Sequence, residues 1–232
     1  MDIKTEQIIA EKVKVLEKGT GDKVSIEKEV GLPFGAFIDW PNWNNVSLPR
    51  ILIKPEISSD SVHVLHELIH LEIFFIFHYP IVGCLDRKLH RITHVFKNIP
   101  EDYVAHKIIR EDYGLDPIGE GCINDDKNLG GSDKELARNL TQYYLFSEIH
   151  QGYKKRFPKF LMKCKRQRHS AFLIAEKAID CIMAIDHKNK EDYIEGVKKL
   201  INIFEPNLYK QGAIRLYCFS KDQGQWKWNP LD

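Results

Sequence analysis

Residues 61–79 contain neither glycine nor proline and run almost unbroken through Val62, Val64, Leu65, Leu68, Ile69, Leu71, Ile73 and the block Phe74-Phe75-Ile76-Phe77. A stretch of that length without a breaker predicts a helix, and one apolar on nearly every side predicts a buried helix. Yet the same segment carries His63, His66, Glu67, His70 and Glu72. Polar groups drawn into a core need partners. One account is a set of core histidines hydrogen-bonded to their neighbours. The other is a metal ion, which satisfies several imidazoles at once.

The spacing favours the metal. His66-Glu67-Leu68-Ile69-His70 spells H-E-x-x-H, and four residues make slightly more than one helical turn, so the two imidazoles lie one above the other on the same face. Glu67 falls about 100° around the helix from His66, placed to act as general base on a water without being a ligand. Zinc is the cofactor this pattern calls for, and a catalytic zinc takes three protein ligands with one position left open. The long-spaced H-E-x-x-H-x-x-G-x-x-H solution is excluded, because Ile73 and Ile76 stand where Gly and His would be required.

After Glu72 the next glutamate is Glu101, with Asp86 the only acid between them. Pro100-Glu101-Asp102 is expected to open a helix running to about Asp112, with proline in the first turn. Glu101 is therefore the leading third ligand. Asp102 could instead ligate, or orient a zinc histidine from behind. His106, His90 and His94 are imidazole alternatives, and the plain reading is that Glu101 and Asp102 only complement a helix dipole. For a donor to the transition state, Tyr103 and His106 are nearest, with Tyr143, Tyr144 and His150 further along.

The rest of the chain predicts an α+β fold, predominantly helical. A helix is expected over 4–17 and strands over 24–30, 34–40 and 50–54. The last strand, just before the histidine helix, is expected at the lip of a cleft where an extended peptide could pair with it. Ser58-Ser59-Asp60 supply N-cap candidates. Residues 82–97 read as a further helix. The turn-rich segment 118–132 is the best boundary in the chain. Beyond it Ser132-Asp133-Lys134-Glu135 forms a capping box that opens a long helix. Helices over 159–185 and 191–204 and a terminal strand over 213–219 complete the expectation.

The order of helix, strands, edge strand Ile51-Leu52-Ile53, His66-Glu67-Leu68-Ile69-His70 and a Glu-headed segment about thirty residues later resembles the compact gluzincin-type metallopeptidases, particularly the ImmA/IrrE group. That group's E-A-N-x-F-A-x-L-L aligns without gaps on Glu101-Asp102-Tyr103-Val104-Ala105-His106-Lys107-Ile108-Ile109, where the Glu and the terminal aliphatic pair match. Its H-E-L-G-H is H-E-L-I-H here. The resemblance covers roughly residues 1–115. It implies a zincin-like core over 1–117; the turn-rich 118–132 is then a linker, and the helical patterning of 133–232 makes a C-terminal region that either stands apart or packs as one domain with the core. It further implies an intracellular zinc protease that hydrolyses a protein or peptide substrate, with transcriptional regulators of the repressor type as the substrate class. Glu120-Gly121-Cys122-Ile123 resembles the E-G-C-L segment of peptide deformylases. There, however, the segment precedes H-E-x-D-H; here it follows, and Ile69 replaces the Asp, so that reading is set aside.

Composition bounds the alternatives. With 232 residues, 29% charged and 43% hydrophobic, the chain can bury a substantial core and is not of disordered type. A formal net charge of +1 gives no overall pull toward nucleic acid or anionic lipid. Five scattered cysteines (Cys84, Cys122, Cys164, Cys181, Cys218) without a C-x-x-C pair suit a reducing compartment. The charged N-terminus lacks the apolar core of a signal peptide, and Ile73 to Phe77 is too short to span a bilayer. A cytoplasmic protein with no membrane partner is expected. One feature points elsewhere. Lys154, Lys155, Arg156, Lys159, Lys163, Lys165, Arg166 and Arg168 fall within fifteen residues without one acid, interleaved with Phe157, Phe160 and Met162. The ordinary reading is a solvated helix face. The other is a nucleic-acid-associated or regulatory protein in which any zinc site is structural or vestigial.

Overall fold

A computed structural model describes residues 3–32, 35–39, 47–59, 61–84, 86–117, 130–149, 154 and 157–231. It is α+β and predominantly helical, as the sequence predicts. Contacts divide the chain into two compact units: Met1–Ile81 with Tyr113–Ile118 and Leu216–Asp232, and Val82–Asp112 with Gly119–Arg215. The division thus differs from the expected split into 1–117 and 133–232. The reason is that the chain's C-terminal hairpin packs with its N-terminal elements. The expected linker, 118–132, lies mostly outside the described residues.

In the first unit, α1 (Ile3–Thr20) turns Thr5, Ile9 and Leu16 inward at helical spacing and packs along α2 (Val62–Phe75). Strands β1 (Ile26–Lys28), β2 (Ala36–Asp39) and β3 (Arg50–Ile53) form a sheet in the order β1-β3-β2. β3 runs parallel to β1, with Ile26 opposite Ile51, and antiparallel to β2, with Ala36 opposite Ile53. This corrects the expectation for the strand before the histidine helix. β3 is central, and both of its hydrogen-bonding edges are taken by neighbouring strands, so it cannot add an extended peptide. Its burial agrees, since Ile51, Leu52 and Ile53 are all inside.

The N-cap of α2 is Ser61, one residue past the expected cluster, and its carbonyl accepts from Leu65 N at 3.1 Å. The helix stops at Phe75. The Phe77 amide returns to the Glu72 carbonyl, and His78 turns the chain out at a φ of 54°. A hairpin of β5 (Ile214–Asp222) and β6 (Gln225–Leu231) completes the unit. Its two-residue turn has Gln223 at φ 49° and Gly224 at φ 79°, the double positive φ of a type I′ turn. Phe75 is clamped by Phe219 and Trp226, with centroids 4.4 and 4.7 Å away. Trp226 Nε1 donates to Asp22 at 2.6 Å.

The second unit begins at Val82, inside β4 (Ile81–Cys84), where a helix over 82–97 was expected. A short apolar run has no readable period, and here it is a strand. α3 (His90–Lys107) then runs uninterrupted through Pro100 and ends in a π turn at Ile108–Asp112. Pro100 therefore starts no helix. The buried stripe Phe96, Ile99, Tyr103 and Val104 continues across it at helical spacing and carries the helix past the amide hydrogen bond that proline cannot make. The capping box is as predicted. Ser132 N donates to Glu135 Oε2 at 2.8 Å and Glu135 N to Ser132 Oγ at 3.2 Å, opening α4 (Asp133–Ile149). The expected helix over 159–185 is two, α5 (Phe157–Gln167) and α6 (His169–Met183), broken at Arg168. α7 (Lys190–Phe204), capped by Asn189, and the short α8 (Pro206–Lys210) follow. α6 packs on α4, α5 and α7, while α3 packs on α4 and α7. No helix among the described residues is long and apolar enough to cross a membrane.

Candidate metal centre

Of the fourteen residues of α2, ten are buried, and the four that are not are Val62, His63, His66 and Glu67. The chemistry-bearing residues therefore occupy the one stripe of this helix that reaches solvent, with His70 at its inner end, 6% exposed. His66 and His70 point their Nε2 atoms at each other, 2.9 Å apart, with ring planes at 84°. Two zinc–nitrogen bonds of about 2.0–2.1 Å at a tetrahedral angle require a separation of roughly 3.3 Å. Opening the pair by a few tenths of an ångström is within reach of small χ rotations. The donor set thus fits a divalent zinc. Without metal, the same geometry serves one hydrogen bond in which one ring donates and the other accepts.

His63 lies one turn earlier on this face. A Cβ built at Gly35 would fall 2.4 Å from its Cδ2, so glycine at the start of β2 is what makes room for the ring. Glu72, though buried at 4% exposure, is no candidate ligand, because it is ion-paired to Lys12 of α1. Burial pushes the Lys12 ammonium down, but the hydrogen bonds and charges of Glu72 and Tyr113 outweigh it and hold its pKa above 10.5. Lys12 also sits 5.6 Å from the Tyr113 ring centre. Sequence reasoning missed this partner. The signal was available, since Lys12 interrupts the stripe Thr5, Ile9 and Leu16 at an inward position.

The other named residues belong to α3, in the second unit. Glu101 is 4% exposed and His106 3%, whereas Asp102 is half-buried. Asp102 and His106 are four apart and share a face. Glu101 sits mid-helix, not at a helix head, so the dipole argument for its orientation does not apply. Tyr103 is buried, and its hydroxyl donates to Met183 Sδ at 2.9 Å while Lys107 Nζ lies 5.4 Å from its ring centre. Tyr143 stacks on Phe157 at 5.3 Å, and Tyr144 meets Phe157 edge-on at 5.4 Å, both packing roles. The side chains of His90 and His94, together with His150 and the Glu120-Gly121-Cys122-Ile123 segment, lie outside the described residues.

No protein-family model, curated protein or solved structure matches this chain.

Proposed function

We propose that the protein is a zinc-dependent peptidase of the gluzincin kind, acting on a protein or peptide substrate. His66 and His70 would hold the metal, with a carboxylate of α3 as third ligand. Between Glu101 and Asp102, the latter is the more exposed. Zinc bound there supplies Lewis acidity toward a carbonyl oxygen and makes water acidic enough to ionise near neutral pH. Glu67, partly exposed beside His66, accepts the proton of the attacking water and passes it to the leaving amine. The observation that carries this reading is the convergence of the His66 and His70 Nε2 atoms on the solvent-reaching stripe of an otherwise buried helix. The reducing cytoplasm is the compartment we assign, because the thiols of Cys84 and Cys164 are buried and Cys181 donates to the Gly196 carbonyl.

Metal analysis beside a peptidase assay tests the proposal. Wild type and Glu67→Gln are expected to hold one zinc per chain, with hydrolysis lost only in the variant. Of Glu101→Ala and Asp102→Ala, the one that loses zinc identifies the third ligand. A wild type that takes up no zinc overturns the proposal and leaves the mutual hydrogen bond as the role of the two histidines. That second reading is favoured by the 2.9 Å separation itself, which is a hydrogen-bond distance.

A further inference from the structure

Several basic residues elsewhere in the molecule are committed to carboxylates. Lys12, Lys23, Arg50, Lys134, Lys188, Lys198, Lys221 and Lys227 all form ion pairs with carboxylates. Within the basic segment the same holds in part, since Arg168 pairs with Asp133 and donates to the Gly131 carbonyl, and Lys165 lies 5.1 Å from the Phe172 ring centre. Lys159, Lys163 and Arg166 stand out by clustering on one helix face. All three are exposed, and among the described residues none has a carboxylate within ion-pair distance. They stand at i, i+4 and i+7 on α5, so they form one stripe about 10 Å long. Pro158, Met162 and Gln167 share this open outer face with them.

We infer that this stripe is a docking surface for the phosphate backbone of a nucleic-acid duplex. Local charge, not the near-zero total, sets the field a partner meets, and a linear row of uncompensated cations complements a linear row of phosphates. The buried positions of Phe157 and Phe160 remove them as stacking platforms, so contact is with the backbone and indifferent to sequence. An anionic membrane fits less well. The apolar side of α5 faces into its own unit, leaving Met162, 50% exposed, as the single large apolar group on the outer face to insert.

The test is fluorescence anisotropy of a labelled DNA duplex of about 20 base pairs with the full chain. Three phosphate contacts predict a log–log salt slope of about −2.7, hence a roughly 40-fold loss of affinity between about 50 and 200 mM salt. The triple variant Lys159→Gln/Lys163→Gln/Arg166→Gln, all surface positions, is expected to weaken binding at low salt at least tenfold and to flatten the slope. Lys14→Gln/Lys18→Gln/Lys210→Gln removes the same charge elsewhere and is expected to bind as wild type does. Absence of duplex binding at low salt overturns the inference, as does equal loss in both variants. Binding to phosphatidylserine vesicles or polyglutamate that matches or exceeds duplex binding also overturns it. The inference is independent of the zinc site.

Discussion

Helix α2 buries ten of its fourteen residues, whereas α5 buries only Phe157, Phe160 and Cys164 among eleven. Both carry many polar groups, but under opposite constraints. A charge on the outer face of α5 is solvated, so its presence says little, and only the lack of a countercharge is informative. A charge inside α2 must be compensated, so the identity of its partner is the information: Lys12 for Glu72, and each other for His66 and His70. The difference teaches where sequence motifs should be weighed. The same residue type is a functional hint on the first helix and a default on the second.

The largest effect that would sharpen this contrast is on catalysis. Glu67→Gln is expected to lower peptide hydrolysis at least about a hundredfold while zinc content stays at wild-type level; equal turnover by the two proteins would remove α2 from the chemistry. Next comes Glu72→Gln, which strands the Lys12 ammonium and should cost about 3 kcal/mol in urea unfolding. The double change Lys12→Met/Glu72→Leu is expected to restore most of that. The pair also has a pH signature. The folded protein favours protonated Lys12, with its pKa above 10.5, so its contribution is complete below pH 10.5 and fades as pH rises through the higher folded value. Stability measured from pH 7 to 11 should fall more steeply in wild type than in Lys12→Met. Leu68→Ala, at a site with no exposure, is expected to cost about 3 kcal/mol. Smallest is Met162→Ala on the outer face of α5, expected within about 0.5 kcal/mol of wild type; a large loss there would mean that this face is covered.

α2 was legible because its signals are local: an unbroken apolar run, one motif at helical spacing, no breaker. The capping box at Ser132 was legible for the same reason. What the sequence hid depends on partners distant in the chain. Nothing within Arg50–Ile53 says that it lies between two other strands. Pro100 reads as a helix start until the buried stripe on either side of it is seen to be continuous. β6 was missed although Trp226-Lys227-Trp228 alternates and Gln223-Gly224 is turn chemistry, because a helical reading of the C-terminal half left no sheet for it to join. For the candidate centre, His66, Glu67 and His70 followed from spacing alone. The role of Glu72 did not, because its partner is sixty residues upstream.

The clamp on Phe75 has a consequence for biosynthesis. Phe219 and Trp226 leave the ribosome about 140 residues after the aromatic ring they cover, a delay on the order of ten seconds at common elongation rates. Through that interval Phe75, at the end of the helix with the histidine pair, lacks the two rings that cover it. Completion of the first unit therefore waits for the hairpin, whatever the second unit does in the meantime.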